Sequence, residues 1–311
     1  PALLHHHGAG RPIGGMGAVI VALERCLRAH GGEARTGAGA LAIETADGRA
    51  SAVELEDGTV VRARRAVIAA IPPQRVPDLA GDALEAGVAE RMRAAPANRT
   101  GVGALTVNVA LRGRLELSAH ERDDALDLRL PTLFGGSYER VLASAAEASA
   151  GRLPSAPNWT LAILSAVDPS QAPEGEDVAQ LYCPAPVEPV EGWDAVRDEA
   201  ADRLVETIGA AAPRLPELEI GRYVESPADL SAATGTVRGC LYHVDHVPTR
   251  MGPLRPALGA GGYRTPLPGL YLSGAGTHPG GGVSGLPGKL SAQAVLRDLR
   301  GRGTSRGRSL R

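Results

Sequence analysis

The chain has 311 residues, 43% of them hydrophobic, and a formal net charge of −2 at pH 7. A chain of this length and apolar content can bury one large hydrophobic core or two smaller ones. The balanced charge provides neither a basic surface for nucleic acid nor an acidic tail. No apolar stretch reaches the length of about 18 residues that a membrane-spanning helix needs. We therefore expect no nucleic acid partner and no transmembrane segment.

The cysteines and histidines give no sign of a metal site. Cys26, Cys183 and Cys240 are odd in number and far apart, which fits neither a disulfide framework nor a zinc site. His243 and His246 are of the type that binds metals, but no third cluster of ligands accompanies them. We expect no bound metal and a reducing, cytoplasmic compartment.

The first predicted elements are a helix and a three-stranded meander. Residues 18–29 have the pattern of a mostly buried helix, which the glycine pair at 31–32 would end. Three strand-like segments follow, at 39–45, 50–56 and 59–63. Asp-Gly pairs join them, and such pairs are typical of tight hairpin turns. Residues 66–71 then form a short apolar run ended by two prolines, which is typical of a strand buried within a sheet.

The middle of the chain predicts a second sheet with helices. A helix is expected at about 83–94, and a partly alternating strand at 103–111. Residues 112–157 are polar and read as irregular. The remaining expected elements are strands at 159–164 and 178–183 and an amphipathic helix at 194–208.

A glycine-rich run near the C-terminus is the most informative segment. A short apolar strand at 270–272 leads into the glycine-rich residues 273–285, and a helical stretch follows at 289–299. Glycines let a backbone approach a bulky ligand because no Cβ blocks the way. Free N–H groups at the start of a helix then favour an anionic or electron-rich ligand. The run therefore predicts a site for a large cofactor. It lacks the last glycine of a Gly-x-Ser-x-Gly elbow, so Ser284 is not expected to be a nucleophile.

Three consecutive pieces of this region match a known signature. They are Tyr263-Arg264-Thr265-Pro266, Gly269-Leu270-Tyr271-Leu272 and Gly274-Ala275-Gly276-Thr277-His278-Pro279-Gly280-Gly281-Gly282-Val283. Together they resemble the C-terminal flavin-binding motif of the phytoene desaturase-like FAD-dependent oxidoreductases. The order of helix, meander and buried strand in residues 12–72 is also similar to the later part of that family's FAD domain. The resemblance covers nearly the whole chain and implies FAD as the cofactor.

The resemblance also implies which residues contact the cofactor. The expected cofactor-binding residues are Gly14, Gly15, Ala40, Gly274, Ala275, Gly276, His278, Gly281, Gly282 and Val283. The last three are expected at the N-terminus of the final helix, where its dipole would stabilise the negative charge of a reduced flavin. No general acid or base stands out, so the catalytic residues are unknown, and the redox chemistry is expected to belong to the flavin.

Several of these candidates have a second interpretation. The glycine pair at 14–15 could bind an anion or merely begin a helix. His278 could face the flavin or shape the loop through hydrogen bonds. Arg255, in an Arg-Pro pair that matches the family, could lie near the flavin edge or on the surface. Ala40 stands where the family usually has a valine whose backbone meets the adenine, which weakens the expectation of tight adenine binding.

The expected fold class is α/β, with an α+β substrate part. An incomplete FAD/NAD(P)-binding Rossmann-like domain with a β-meander is expected beside a substrate domain built on a mixed sheet. The expected boundaries are a partial FAD-binding domain at 1–94, a substrate-binding domain at 95–235, a return to the FAD-binding domain at 236–300 and a disordered basic tail at 301–311.

The dinucleotide-binding motif of the family is missing from this sequence. Family members open with a strand, a Gly-x-Gly-x-x-Gly turn at a helix N-terminus and an acidic residue for the ribose. Residues 8–14 are the nearest approximation, but they have one residue too many, and residues 3–7 do not read as a buried strand. The chain is therefore expected to be a C-terminal fragment or one half of a split enzyme, whose partner would be a separate N-terminal half.

Three functions are open at this point. The leading hypothesis is an FAD-dependent oxidoreductase that transfers hydride between flavin and a small apolar, isoprenoid-like substrate. The alternative is a cofactor-free remnant or protein-binding module that keeps the fold. A third hypothesis, an NAD-binding dehydrogenase that starts at Gly8, is disfavoured by the missing first strand.

Overall fold

A computed structural model describes residues 10–121 and 127–306 of the chain. The strands are β1 (Ala40–Ala46), β2 (Arg49–Leu55), β3 (Val60–Arg62), β4 (Val67–Ala69), β5 (Val102–Leu111), β6 (Leu133–Gly135), β7 (Trp159–Ile163), β8 (Asp177–Pro186), β9 (Glu219–Glu225) and β10 (Leu270–Leu272). The α-helices are α1 (Met16–Ala29), α2 (Val76–Ala80), α3 (Ala86–Arg93), α4 (Tyr138–Ser149), α5 (Leu164–Val167), α6 (Trp193–Gly209), α7 (Leu215–Leu218), α8 (Pro227–Thr234) and α9 (Leu286–Arg306).

The chain divides into two compact units. The first, which we call the sheet unit, contains the described residues up to Arg35 together with residues 100–228. The second, which we call the glycine-loop unit, contains residues 36–99 and the described residues from Asp229 onward. Each unit has its own hydrophobic core.

The sheet unit is built on five strands in the order β6-β7-β8-β5-β9. Every pairing in it is antiparallel, so the expectation of a mixed sheet is wrong for this unit. Alternate residues of β5, such as Leu105, Val107 and Val109, are buried, and α6 covers that face with Leu204 and Ile208. The predicted strands at 103–111, 159–164 and 178–183 and the helix at 194–208 are confirmed, with boundaries that differ by a few residues.

Two predictions about the local structure of this unit are wrong. Residues 112–157, expected to be irregular, contain β6 and the twelve-residue helix α4. Ser137 caps that helix by accepting a hydrogen bond from the backbone N–H of Arg140. The sequence signal is weak because half of α4 is alanine and serine, residues of low hydrophobicity, and few large apolar side chains mark its buried face.

Helix α1 is also not the buried helix that was expected. No residue of α1 is buried within the described chain, and Ile20 is 66% exposed. The helix belongs to the sheet unit, where Arg11 bonds Thr132 and Gly14 bonds Asp168, whereas the predicted boundary at 94 placed it in the FAD-binding part. An apolar sequence predicts burial only if another element covers it, and no described element does so here.

The glycine-loop unit combines the meander with a small parallel sheet. Strands β1, β2 and β3 form an antiparallel sheet in that order, which confirms the predicted meander. Strands β4 and β10 pair in parallel, with Ile68 opposite Tyr271, so the two predicted apolar strands are neighbours. Their core includes Val67, Leu270 and Leu272.

The last helix is longer than the sequence suggested. Helix α9 continues to Arg306, so residues 301–306, expected within a disordered tail, are helical. Extending an existing helix costs little compared with starting one, which explains the extra turns. The rest of the expected tail, residues 307–311, lies outside the described residues, as do residues 1–9. Among the described helices, none combines the length and the apolar character needed to cross a bilayer.

Candidate functional site

A cavity of about 400 Å³ opens in the glycine-loop unit at the carboxyl ends of β4 and β10. Ala70 follows β4 and Ser273 follows β10, and both line it. The other lining residues are Leu241, Gly274, Ala275, Gly280, Gly281, Gly282, Val283, Ser284, Gly285, Pro287 and Gly288. We call residues 273–285 the glycine loop. In open sheets of parallel strands, ligands bind just outside the carboxyl ends of the strands, so this is where a ligand is expected.

Some glycines of the loop are required by close packing within the protein. A Cβ on Gly276 would lie 2.5 Å from Pro73, and one on Gly280 would lie 2.4 Å from the imidazole of His246. At Gly281 it would meet the ring of Tyr242 at 3.0 Å. These positions bring the loop against the segment 241–246, which forms one side of the site.

Other residues of the loop face open space. A Cβ built on Gly282 or Gly285 would meet no atom within 4 Å, although both have positive φ. Val283 has a φ of 54° and is 77% exposed. The cavity is therefore not filled by the side chains of its own walls. An open, glycine-lined cradle is what a flat, bulky ligand needs.

The donors of the loop are backbone N–H groups. Within the described chain, no acceptor is found for the N–H groups of residues 274, 275 and 281–285. Helix α9 begins at Leu286, so Gly281 and Gly282 lie in the turn before the helix. The sequence had predicted that they would lie at the N-terminus of the helix itself. The prediction was wrong because the turn is longer than the sequence indicated. The residues that carry these N–H groups still line a cavity that no acidic residue lines.

The loop is held in place by hydrogen bonds from both ends. Ser273 donates its N–H to Ala69 of β4, and the hydroxyl of Thr277 donates to the carbonyl of Gly274 at 2.9 Å. The hydroxyl of Tyr263 donates to the carbonyl of His278 at 2.9 Å. His278 thus shapes the loop through its backbone, while its side chain lies at an exposed position.

Arg255 lies behind the wall of the cavity and is only 1% exposed. Of the two expectations for it, a surface position is therefore wrong. Its guanidinium donates to five backbone carbonyls, those of Tyr242, Val244, Ala275, Asp245 and Arg250. Burial lowers the pKa of Arg255, an effect that the nearby Cys240 and Asp245 oppose. Nothing in the Arg-Pro dipeptide alone predicts such a set of carbonyls.

Two histidines adjoin this arginine. Burial and the positive charge of Arg255 lower the pKa of both His243 and His246. Both rings are therefore neutral at neutral pH. Among the described residues, no group of three potential ligands is arranged to hold a metal ion.

The glycine pair at 14–15 belongs to the sheet unit. The N–H of Gly14 donates to the carboxylate of Asp168 at 2.7 Å, so a side chain of this chain supplies the anion at the start of α1. Hydrogen bonds from Ser170 and Gln171, with that of Gly14, lower the pKa of Asp168 to about 2. Cofactor contact by Gly14 and Gly15 stays a prediction.

Ala40 is the first residue of β1 and is exposed. Before it, Gly39 accepts a hydrogen bond from the N–H of Glu56, and a Cβ on Gly39 would collide with the Glu56 carboxylate at 2.5 Å. The contact of Ala40 with adenine stays a prediction.

Comparison with known proteins places the chain in a family. The model of the flavin containing amine oxidoreductases matches residues 2–296. The chain belongs to this family. The resemblance to FAD-dependent oxidoreductases is thus confirmed at the level of the family, whose description is of flavin-containing oxidoreductases.

Individual relatives agree with this assignment. Pyridine nucleotide-disulfide oxidoreductase domain-containing protein 2 of Rattus norvegicus is 30% identical over 92% of this chain and 51% of that protein. The zeta-carotene-forming phytoene desaturase of Myxococcus xanthus is 28% identical over 93% of this chain and 52% of that protein. The chain therefore spans about half the length of these relatives.

A solved structure supports the fold. The crystal structure of an oxidoreductase from Methanosarcina mazei is similar with a TM-score of 0.56 and 18% identity, over 94% of this chain and 57% of that one. The α/β fold class is confirmed by this similarity and by the combination of helices and sheets.

Proposed function

We propose that this chain carries the isoalloxazine-binding and substrate-binding parts of an FAD-dependent oxidoreductase that transfers hydride between flavin and a small apolar substrate. One observation carries the proposal: the cavity at the carboxyl ends of β4 and β10 is lined by glycines and is not filled by side chains. Because the chain belongs to a flavin-containing family, we propose that the planar ligand of this cavity is the isoalloxazine ring of FAD.

The donor set of the cavity fits a flavin. The pyrimidine edge of the isoalloxazine carries two carbonyl oxygens and the ring nitrogen N1, which accept hydrogen bonds, beside N3–H, which donates one. The N–H groups of residues 274, 275 and 281–285, which have no acceptor in the described chain, are the donors that would meet them. The open faces of Gly282 and Gly285 leave room for the ring itself.

A bound flavin would supply the acceptor for hydride, and the protein would bind, orient and shield it. The glycine loop would orient the ring, and Leu241, which lines the cavity and is 56% exposed, would help to exclude water. Proton transfer is assigned to no residue.

The rest of the FAD would be held by residues outside this chain. A parallel sheet of only two strands is smaller than such sheets usually are, and the centre of β4, Ile68, is 46% exposed. We propose that further strands and the pyrophosphate-binding turn come from a separate N-terminal part, because the relatives are about twice as long as the matched region. The three cysteines are free thiols, which favours a reducing, cytoplasmic compartment.

The substrate would lie on the uncovered face of the five-stranded sheet. The register places Thr106, Tyr182, Thr160 and Phe134 in one row across four strands. They alternate with residues buried under α6, so they share the opposite face, where Phe134 is 82% exposed. An apolar molecule would suit the two aromatic rings, in keeping with the desaturases among the relatives.

Titration of the purified chain with riboflavin and with FAD tests this proposal. Flavin fluorescence should change on binding, with a dissociation constant of about 0.1–1 mM, because only contacts with the ring are available. Riboflavin and FAD should bind with similar affinity, and ADP should not compete, since the adenosine site lies elsewhere. A cofactor-free module predicts no change in fluorescence with either flavin, and that result would overturn the proposal.

A further inference from the structure

The guanidinium of Arg255 joins the two sides of the cavity through one nitrogen. Its Nη2 lies 2.9 Å from the carbonyl oxygen of Ala275 in the glycine loop. The same Nη2 lies 2.9 Å from the carbonyl of Tyr242 and 2.8 Å from that of Val244, in the segment that packs on the loop. Removal of this nitrogen would leave both walls without their common donor.

The positive charge of Arg255 is not neutralised by an ion pair. Within the described chain no carboxylate lies within ion-pair distance of Arg255. Beyond that distance, Cys240 and Asp245 both oppose the lowering of the Arg255 pKa by burial. The two carboxylate oxygens of Asp245 accept the N–H groups of Asn98 at 2.7 Å and Arg99 at 3.0 Å. The five carbonyl dipoles stabilise the cation but carry no net charge. The guanidinium behind the loop is therefore in no ion pair within the described chain, and Asp245 opposes its charge only from beyond ion-pair distance.

The cavity experiences this charge directly. Ala275 both lines the cavity and accepts the Arg255 hydrogen bond, so a single residue separates the guanidinium from a ligand. No acidic residue lines the cavity to oppose it. Because the guanidinium is buried, water screens its field poorly. The two adjoining histidines are neutral and contribute no charge of either sign.

We propose that Arg255 is a positioning residue that also makes the cavity prefer a reduced, negatively charged isoalloxazine over the oxidised, neutral one. The inference rests on the proposed function, because it presumes that this cavity holds the flavin. It adds the residue that sets the redox preference of the site. Arg255 acts through Ala275 and the 242–244 backbone and does not itself contact the ring.

The test compares the affinities of the purified chain for oxidised and for dithionite-reduced riboflavin, under argon at pH 8. The wild-type chain should bind the reduced form at least tenfold more tightly, equivalent to about 30 mV in the two-electron potential of the bound flavin. Arg255→Met should abolish this preference. Arg255→Lys should retain most of it, since an ammonium keeps the charge and has three donors for the three closest carbonyls.

Arg264→Met is the matched control, because Arg264 is paired with Asp298 in the same unit and does not line the cavity. It should leave the preference unchanged. If neither form of riboflavin binds to the wild type, the proposed function and this inference both fail. If both forms bind equally to the wild type, or if Arg255→Met keeps the preference, the flavin site stands and this inference is overturned. Equal binding of the two forms by the wild type overturns the inference even if Arg255→Met does not fold, and if that variant does not fold, Arg255→Gln, which removes the charge but keeps donors, takes its place and should lose the preference.

Discussion

The carbonyl oxygen of Ala275 lies 2.9 Å from Nη2 of Arg255, two residues that are 20 positions apart in the sequence. This bond ties the glycine loop to a buried cation that also holds the segment 242–250. The shape of the cavity therefore depends on a side chain that does not line it. Glycines alone would leave the loop free to adopt many conformations.

Arg255→Met should lower the free energy of unfolding by about 2–4 kcal/mol, because buried carbonyls would lose their donor. Urea denaturation measures this. Arg264→Met, which removes a half-exposed ion pair with Asp298, should cost less than about 1 kcal/mol. Equal losses in the two variants would show that the carbonyl cluster contributes no more than a surface pair.

Gly282→Val should prevent riboflavin binding, since its side chain would project into the open part of the cavity and strain a backbone with φ of 118°. Gly235→Val is the matched control, because Gly235 also has positive φ and open space but lies outside the cavity. Fluorescence titration of the two variants should show binding only by Gly235→Val. Unchanged binding by Gly282→Val would remove the loop from the flavin site.

Asp168 should make the stability of the sheet unit dependent on acid pH. Hydrogen bonds from Ser170, Gln171 and Gly14 lower its folded pKa to about 2, below the ordinary value of 3.8. Because the folded pKa is below the unfolded one, the ionised carboxylate stabilises the fold at pH values above the ordinary pKa of 3.8. This contribution is lost as the pH falls from about 4 to about 2. Unfolding of wild type and Asp168→Asn should therefore differ at pH 7 and converge near pH 2. A difference independent of pH would contradict the assigned cause.

Local signals in the sequence account for much of the glycine-loop unit. Asp47-Gly48 and Asp57-Gly58 predict the two hairpins of the meander, because their backbone conformations suit tight turns. The apolar runs that become β4 and β10 are recognisable as buried strands, and they do pair. The position of the glycine loop is likewise predictable, because its glycines follow an apolar strand and precede a helical stretch.

Features that depend on distant contacts were missed. The carbonyls around Arg255 come from backbone positions, and backbone carbonyls leave no mark on the residue pattern. Gly14 meets Asp168 across 154 positions, so neither residue alone predicts the contact. Strand β9 is not predictable because its apolar positions follow no clear period. Helix α4 is not predictable because alanine and serine make up half of it. The exposure of α1 could not be predicted because burial depends on what covers a helix.

Hydrogen exchange of the backbone, measured with and without riboflavin, tests the central claim most directly. The N–H groups of residues 274, 275 and 281–285 have no acceptor in the described chain, so a bound ring should slow their exchange. Residues of the meander, such as those of β1 and β2, should exchange at the same rate in both samples. Protection confined to the glycine loop is the result we expect. Unchanged exchange in the loop at a saturating concentration of riboflavin would contradict the assignment of this cavity to the flavin.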